Sequence, residues 1–455
     1  MDHDLIIVGG GAGGLAAARA AMWAGVDVAL INDGPLGGDC TFTGCVPSKT
    51  LLAAARDGLE FEPAMKRVRS TIETIAAGES AEVLSGRGVK VITDRARLVT
   101  HDSVEVGGRR LGAPRIILAT GSRAAVPQIP GLETAAALTN ESVFSLTTAP
   151  RSLGIIGAGP VGCELAQAFA AFGVTVVLIE ALARVLPREE PEASALVAAA
   201  LTERGADVRV GQGVDRVERE PGGRVCLVIG GDTVIVDELL VAAGRVPNSA
   251  GMGLEELGLG LDDAGHIETD DRLATTVRGV YAVGDVTGKL PFTHAADEMG
   301  RLAAGNALRK GVRGRFRTHW IPWAIFTDPE VARVGMTEHE AADHDGRVAY
   351  LPLSEMDRAV TDERTDGYIK LIAGPRRVAR RLFGGRIIGA TIVAPRAGEM
   401  IHEAALAMRT GMFAGRLAQT VHAYPTWSYG IQKAAGQLFG DVDGRSAGPA
   451  LQDRS

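Results

Sequence analysis

Residues 5–18 read LIIVGGGAGGLAAA, and residues 153–166 read LGIIGAGPVGCELA. Each stretch contains a run of apolar residues, a glycine-rich turn and a segment of small residues suited to a closely packed helix. Such a strand-turn-helix unit opens a doubly wound nucleotide-binding fold, and its repetition about 150 residues later is more specific than either copy alone. The sequence therefore predicts an α/β protein with two Rossmann-like dinucleotide-binding domains.

The first motif contains Gly9, Gly11 and Gly14 in the spacing GxGxxG. Glycine permits the tight turn, the close approach of a pyrophosphate to the backbone, and close packing of helix on strand. The helix N-terminus supplies N–H donors for the phosphates. Asn32 stands at the end of the next strand, where a ribose-binding acid is expected, and its amide can still bind a hydroxyl. By itself this motif is also compatible with a simple tight turn.

The second motif contains Gly157, Gly159 and Gly162, and the following strand VTVVLIE ends in Glu180. A carboxylate at that position accepts hydrogen bonds from both ribose hydroxyls and repels a 2′-phosphate, so the motif favours NADH over NADPH. Arg184 follows four residues later. It either partly neutralises Glu180 or is a solvated helix residue.

Length and charge narrow the class of protein. The chain has 455 residues, 46% of them hydrophobic, which is enough for about three domains. Its formal net charge is −7, no block of Lys or Arg suggests nucleic acid or acidic lipid as a partner, and no apolar run is long enough to cross a bilayer. The N-terminus lacks a basic segment followed by a cleavage site, so we expect a cytoplasmic protein with neither membrane nor nucleic-acid partners.

The four cysteines are too few for a disulfide framework in so long a chain. Cys163 and Cys226 are expected to be inert core residues. Cys40 and Cys45 lie in GGDCTFTGCVPSKTLLAAA, a glycine-rich loop that runs into a predicted helix, and their thiols can form a disulfide if the loop folds back. The helix N-terminus and Lys49 both favour a thiolate at Cys45. No second cysteine pair or nearby histidine completes a metal site, so no bound metal is predicted.

At these residues the chain resembles the class I pyridine nucleotide-disulfide oxidoreductases. This is the family of dihydrolipoamide dehydrogenase, glutathione reductase and mercuric reductase. The resemblance covers almost the whole chain. Besides GGDCTFTGCVPSK it rests on ILATGS (117–122), GRVPN (244–248), VYAVGD (280–285), FTDPEVARVG (326–335) and GRIIGATIVAP (385–395).

The resemblance implies FAD and NAD(P)H as cofactors, a homodimer, and a C-terminal α+β dimerisation domain. It divides the chain into an FAD-binding domain (1–150 and 271–317), an NAD(P)-binding domain (151–270), a dimerisation domain (318–440) and a polar, glycine-rich tail (441–455) that we expect to be mobile.

The resemblance also assigns roles to individual residues. Cys45 is the thiolate against the flavin, Cys40 is the interchange thiol that attacks the substrate, and Lys49 and Glu164 form an ion pair near flavin N5. The remaining cofactor-binding positions are Asp285 at the ribityl chain, Ala295 near the isoalloxazine ring, and Gly121 and Gly244 within the nucleotide motifs.

The C-terminal segment His422-Ala-Tyr-Pro-Thr-Trp-Ser-Tyr429 departs from the His-Glu pattern of the dithiol-specific members. Tyr424 replaces the general base and Tyr429 its orienting acid, and a phenol with a pKa near 10 does not replace an imidazole at neutral pH. His422, two residues away, is expected to be structural. Mercuric reductase also has a tyrosine at the base position, but the tail here lacks the adjacent cysteines that deliver its metal.

Tyr424 is therefore either a functional residue or a packing residue at the dimer interface. The leading hypothesis is an FAD-dependent NAD(P)H:acceptor oxidoreductase of the mercuric reductase type, with a metal ion, a quinone or a small disulfide as acceptor. The alternatives are a dihydrolipoyl dehydrogenase-type disulfide reductase, an NAD(P)H:quinone reductase, or an FAD-binding redox sensor with little turnover.

Overall fold

The computed structural model describes residues 1–308, 311, 313–375 and 384–451. The chain divides into two compact units. The first unit comprises Met1–Gln128, Ala136–Ala149 and Leu240–Arg317, and the second comprises Ile129–Ala135, Pro150–Leu239 and Thr318–Ser455. Most of the predicted NAD(P)-binding region thus shares a unit with the C-terminal region, while the individual domain boundaries stay a prediction.

Both units contain helices and strands. The helices within the described residues are α1 (Ala12–Trp23), α2 (Gly38–Phe42), α3 (Cys45–Arg56), α4 (Phe61–Ala77), α5 (Ala81–Ser85), α6 (Pro160–Ala171), α7 (Pro191–Glu203), α8 (Thr293–Leu308), α9 (Glu338–Ala342), α10 (Asp357–Thr361), α11 (Ala397–Thr410), α12 (Ala414–Gln419) and α13 (Tyr429–Gly436). The strands within the same residues are β1 (Leu5–Val8), β2 (Val28–Asn32), β3 (Val89–Thr93), β4 (Ala96–Thr100), β5 (Ser103–Val106), β6 (Arg109–Gly112), β7 (Ile116–Leu118), β8 (Ser122–Ala124), β9 (Ser152–Ile156), β10 (Thr175–Glu180), β11 (Asp207–Val210), β12 (Arg216–Arg219), β13 (Val225–Ile229), β14 (Asp232–Val236), β15 (Glu238–Val241), β16 (Arg245–Pro247), β17 (Val280–Ala282), β18 (Trp323–Ile325), β19 (Glu330–Gly335), β20 (Arg347–Pro352), β21 (Tyr368–Gly374), β22 (Arg386–Ala394) and β23 (Gly448–Pro449).

The first unit is built on a five-stranded parallel sheet in the order β17-β7-β1-β2-β3. Its central strand β1 is apolar and fully buried on both faces, as expected for a parallel sheet covered by helices. Helices α1 and α8 pack against each other. An antiparallel sheet, β4-β5-β6, contributes Leu98 and Val104 to a core shared with Ile6 and Ile116.

Glycines set the distances between backbones in this unit. A Cβ on Gly14 would lie 1.9 Å from the carbonyl oxygen of Gly9, and a Cβ on Gly300 would lie 2.1 Å from the carbonyl oxygen of Gly13. Helix α1 therefore packs on its own entry turn and on α8 with no space for a side chain between them. The carboxyl end of β1 and the N-terminus of α1 are held together by this contact.

The second unit contains the parallel strands β11-β10-β9 with α6 and α7. It also contains a six-stranded antiparallel sheet in the order β18-β19-β22-β21-β20-β23. Helices α11 and α13 cover the latter sheet through Met400 and Ile431, which join a core with Ile369 and Ile392. The predicted fold class, two dinucleotide-binding folds plus a C-terminal α+β domain, is confirmed.

The described part of the predicted tail is hydrogen-bonded to this sheet. Strand β23 pairs with β20, and the Arg347 guanidinium donates to the carbonyl of Ala447 over 3.1 Å. Residues 452–455 lie outside the described residues. None of the helices in the described ranges is long and apolar enough to span a membrane.

We expect Gly14→Ala to destabilise the first unit, because the added methyl collides with the Gly9 carbonyl. Overpacking of this kind costs about 1–3 kcal/mol of unfolding free energy. Thermal unfolding of purified protein checks the prediction. Gly34→Ala is the matched control, since no atom lies within 4 Å of a Cβ built there. Equal melting temperatures for the two variants would contradict the close-contact argument.

Candidate active site

The first glycine-rich turn is closed by the side chain at the end of β2. The Oδ1 atom of Asn32 accepts a hydrogen bond from Gly10 N over 2.8 Å, and its Nδ2 donates to the carbonyls of Gly34 (2.7 Å) and Pro35 (3.2 Å). Asn32 was predicted as a ribose ligand, and in the structure its amide holds the turn against the following loop. Its contact with a ribose stays a prediction.

The second turn repeats this geometry with a carboxylate. Glu180, at the end of β10, accepts from Ala158 N over 2.8 Å and from Leu182 N over 2.9 Å. Ala158 occupies the position in its motif that Gly10 occupies in the first. The two dinucleotide folds therefore use one device, in which a polar side chain at the end of the second strand binds the turn. The second turn alone presents a negative charge.

The helices that follow the two turns fit dinucleotide phosphates. Helices α1 and α6, both within the described residues, have glycine N-caps, Gly11 and Gly159, and no side-chain cap. Their first N–H groups have no intrahelical acceptor, and the helix dipole favours an anion at that place. Gly14 and Gly162 lie one turn inside and are buried. The residues present thus fit two dinucleotide cofactors.

Asp285, the predicted ribityl ligand, belongs to a network of four polar residues in the first unit. Ser122 Oγ donates to Asp285 Oδ2 over 2.6 Å, and Arg245 Nε lies 2.7 Å from Ser122 Oγ and 3.5 Å from the same carboxylate oxygen. The Arg245 guanidinium also forms an ion pair with Asp39, the residue before Cys40. Arg245 thus joins Asp285, the predicted ribityl ligand, to the helix that carries Cys40, the predicted interchange thiol.

Sequence reasoning missed Ser122, Arg245 and Asp39 as site residues. Ser122 and Arg245 belong to the motifs ILATGS and GRVPN, next to Gly121 and Gly244. The motifs themselves are therefore the signal in the sequence that points to these two residues. Asp39 gives no signal of its own in the sequence, because its partner is 206 positions away.

The cysteine pair lies at the start of helix α3. Cys45 is the first residue of α3, as the sequence predicted, while Cys40 lies in the short helix α2 and not in an open loop. Cys40 is half-buried and Cys45 is exposed, and their side chains are hydrogen-bonded to each other. Cys45 Sγ also lies 3.4 Å from Thr293 Oγ1, at the start of α8, a residue that sequence reasoning missed.

The environment of Cys40 disfavours its thiolate. The hydrogen bond with Cys45 and burial, in that order, raise the pKa of Cys40, the charges of Cys45 and Glu79 act in the same direction, and Thr293 opposes them. Cys45 is exposed at a helix N-terminus, which favours negative charge. The pair is therefore asymmetric, with the proton held on Cys40.

Three other predicted site residues, Lys49, Ala295 and Glu164, are divided between the two units. Lys49 is on α3 of the first unit, together with the buried Ala295 on α8. Glu164 is buried on α6 of the second unit, where its Oε1 accepts a hydrogen bond from Phe326 N over 2.9 Å. The ion pair of Lys49 with Glu164 stays a prediction. Cys163 is fully buried and Cys226 half-buried.

The C-terminal segment contains two distinct polar pairs. Tyr424 donates from its hydroxyl to Asp357 Oδ2 over 2.5 Å and contacts Tyr429 edge to face at 5.8 Å. The hydrogen bond to Asp357 raises the pKa of Tyr424 above its usual value. His422 bonds the Glu403 carboxylate through Nε2 (2.7 Å) and the Thr420 carbonyl through Nδ1 (2.8 Å). Two phenols, Tyr424 and Tyr429, therefore stand at the positions of the His-Glu pair.

Two models of known families match the chain. Residues 3–300 match the pyridine nucleotide-disulphide oxidoreductase model, and residues 321–435 match the dimerisation domain of the same family. The chain belongs to this family. The members use FAD and NAD(P)H, so the predicted enzyme class and cofactors are confirmed, and the chain carries the dimerisation domain.

Individual relatives of the family cover nearly the whole chain. A mercuric reductase of Bacillus cereus is 32% identical over 97% of this chain and 72% of its own length. A dihydrolipoyl dehydrogenase of Thermus scotoductus is 34% identical over 96% of this chain and 97% of its own. The Cu(II) complex of the HOCl-induced flavoprotein disulfide reductase RclA from Escherichia coli is 29% identical, with a TM-score of 0.86 over 96% of this chain and 99% of that one.

The His422–Glu403 pair predicts a pH-dependent stability. Burial lowers the pKa of His422, but the hydrogen bonds to Glu403 and Thr420 together with the Glu403 charge outweigh it, so the net pKa is raised. The pair therefore stabilises the fold below the ordinary histidine pKa of 6.5 and loses this contribution as the pH rises through the raised pKa. We expect Glu403→Gln to lower the melting temperature more at about pH 6 than at about pH 9.

Glu399→Gln is the control, because Glu399 is exposed on the same helix, one turn earlier. A melting-temperature deficit of Glu403→Gln that stays constant between the two pH values would show that Glu403 does not raise the pKa of His422.

Proposed function

We propose that the protein is an FAD-dependent NADH:acceptor oxidoreductase that works as a homodimer and reduces a small acceptor through Cys40 and Cys45. The observation that carries this proposal is the cysteine pair at the N-terminus of α3, in one unit with the first glycine-rich turn and Asp285. The dimerisation domain supports the homodimer. Because the proposed enzyme depends on a nicotinamide nucleotide as its reductant, we propose that it acts in the cytoplasm.

FAD, when bound, supplies the two-electron chemistry that connects the nicotinamide with the disulfide. The first turn and α1 would hold its phosphates, and Asp285, oriented by Ser122 and Arg245, would hold the ribityl chain. In the reduced pair the helix N-terminus and the Thr293 hydroxyl stabilise the thiolate of Cys45. Cys40 keeps its proton in the resting pair and attacks an acceptor as a thiolate after it has released that proton to solvent.

The cysteine roles are tested by optical spectroscopy of the purified holoenzyme. After anaerobic reduction by two electrons we expect a long-wavelength charge-transfer band, because the Cys45 thiolate lies against the flavin. Cys45→Ser is expected to abolish the band. Cys40→Ser, the matched control, is expected to retain a thiolate able to donate charge while disulfide turnover falls. A band that persists in Cys45→Ser would overturn the assignment, and very slow flavin reduction by NADH would favour the redox sensor.

The preference for NADH is supported by the environment of Glu180. Its carboxylate is at the ribose position, and the Arg184 guanidinium, which could have neutralised it, donates to the carbonyls of Pro187 (2.9 Å) and Glu189 (3.1 Å). A 2′-phosphate would therefore meet an uncancelled negative charge.

A thiophilic metal ion is the acceptor class that we favour. Tyr424 and Tyr429 replace the His-Glu pair whose imidazole would protonate a leaving thiolate, and His422 is engaged with Glu403 and Thr420. Mercuric reductase is among the relatives, and the similar RclA structure is a Cu(II) complex. A metal ion reduced in this way would be a substrate of the enzyme. In the parts of the chain that the structure describes, no three His, Cys, Asp or Glu side chains converge on a metal site.

An acceptor screen with NADH tests this choice. We expect Hg(II) or Cu(II) to be reduced faster than lipoamide, because general acid-base assistance worth about 10²–10⁴-fold is missing. Combining Tyr424→His with Tyr429→Glu is expected to raise lipoamide reduction and to leave quinone reduction, which takes electrons from the flavin, little changed. A native enzyme that turns over lipoamide at hundreds per second, on the order of the upper range for good enzymes, would contradict the proposal.

A further inference from the structure

The segment 181–190, here called the ribose loop, connects Glu180 with helix α7. The loop returns to the second glycine-rich turn, because Leu186 N donates to the carbonyl of Ala158 over 2.8 Å. Arg184 bonds two carbonyls within the loop. The loop and the turn together surround the carboxylate of Glu180.

The loop contains a strained residue. Leu186 has φ of +46° and is 1% exposed. A leucine in the left-handed region costs about 1–2 kcal/mol, and such a conformation persists when the surroundings hold it. Besides the bond from Leu186 N to Ala158, the loop is held by contacts of the Glu189 and Glu190 side chains.

Glu189 is held by the C-terminal sheet. Its Oε1 accepts a hydrogen bond from Trp323 Nε1 over 2.9 Å, and its Oε2 lies 3.0 Å from Arg333 Nε. The Arg333 guanidinium stacks 4.4 Å from the Trp323 ring centroid. Both charged side chains are at most 10% exposed, so water screens this ion pair little.

Glu190 is held by the same sheet and by α9. Its Oε1 accepts from Glu338 N over 2.8 Å, and its Oε2 lies 3.3 Å from Lys370 Nζ. Lys370 is 0% exposed and also contacts Glu192 (3.0 Å) and Glu338 (2.9 Å). Burial lowers the pKa of Lys370, but its three carboxylates outweigh burial and raise it, so the ammonium stays charged.

We propose that Arg333 and Lys370 are positioning residues for the nicotinamide nucleotide, because they hold the ribose loop through Glu189 and Glu190 and thereby orient Glu180. This inference rests on the proposed role of Glu180 as the ribose ligand. It gives the C-terminal sheet a function in nucleotide binding besides dimerisation. Removing the ion pairs relaxes the loop and releases Arg184 from its two carbonyls.

The test uses the purified holoenzyme with Glu189→Gln and Arg333→Met combined, so that no unpaired charge is left buried. We expect the KM for NADH and the Kd for NAD⁺, measured by titration calorimetry, to rise about tenfold, with kcat at saturating NADH changed by less than about twofold. The ratio of kcat/KM for NADH over NADPH is expected to fall. Arg333→Lys, which retains a cation, is expected to remain close to the parent protein.

The control pair is Arg216→Met with Glu218→Gln, which removes an exposed ion pair of the same unit and is expected to change neither constant. Trp323→Phe keeps an aromatic ring beside Arg333 and removes the indole N–H donor to Glu189, so it provides a milder variant with an expected rise in Kd of about threefold. A lower melting temperature with unchanged Kd in both the double variant and Trp323→Phe would overturn the inference.

Glu180→Ala separates this inference from the proposed function. Weaker NAD⁺ binding in Glu180→Ala, together with an unchanged Kd in the double variant, would leave Glu180 as the ribose ligand and reject the positioning role of Arg333. An unchanged Kd in Glu180→Ala would reject the ribose assignment, and the Kd of the double variant would still decide whether the sheet positions the nucleotide.

Discussion

The close contact between Gly14 and the carbonyl of Gly9 is the constraint from which the first dinucleotide fold is built. A methyl group at position 14 would lie 1.9 Å from that oxygen, so strand, turn and helix pack together only with glycine there. The contact directs the N-terminus of α1 toward the end of the sheet, where phosphates bind. Gly13 and Gly300 then bring α8, which carries Thr293 and Ala295, against α1.

The two turns share a closing hydrogen bond and differ in charge. Asn32 and Glu180 bind the N–H of equivalent turn residues, Gly10 and Ala158. The Asn32 amide donates to two neighbouring carbonyls, whereas the Glu180 side chain accepts hydrogen bonds from Ala158 N and Leu182 N. The proposed preference for NADH rests on this second turn and on the loop that follows it.

Buried ion pairs connect the predicted NAD(P)-binding region with the C-terminal region inside one unit. Glu189, Glu190 and Glu338 face Arg333 and Lys370, and removing either cation would leave a buried carboxylate without compensation. Glu164 and Gln167 of α6 add hydrogen bonds to Phe326 N and Asp328 N. The same contacts that stabilise the unit also hold the ribose loop.

By itself the sequence determined the two glycine-rich turns and the position of Cys45 at a helix N-terminus, because these depend on local spacing, and the family resemblance added the C-terminal α+β region. The tertiary structure alone decided that Arg245 joins Asp39 to Asp285, that Thr293 contacts Cys45, and that Lys370 is buried among three carboxylates. Their partners are far away along the chain, and a charged residue has the same local signal whether it is solvated or paired. Only the packing of distant strands and helices distinguishes the two.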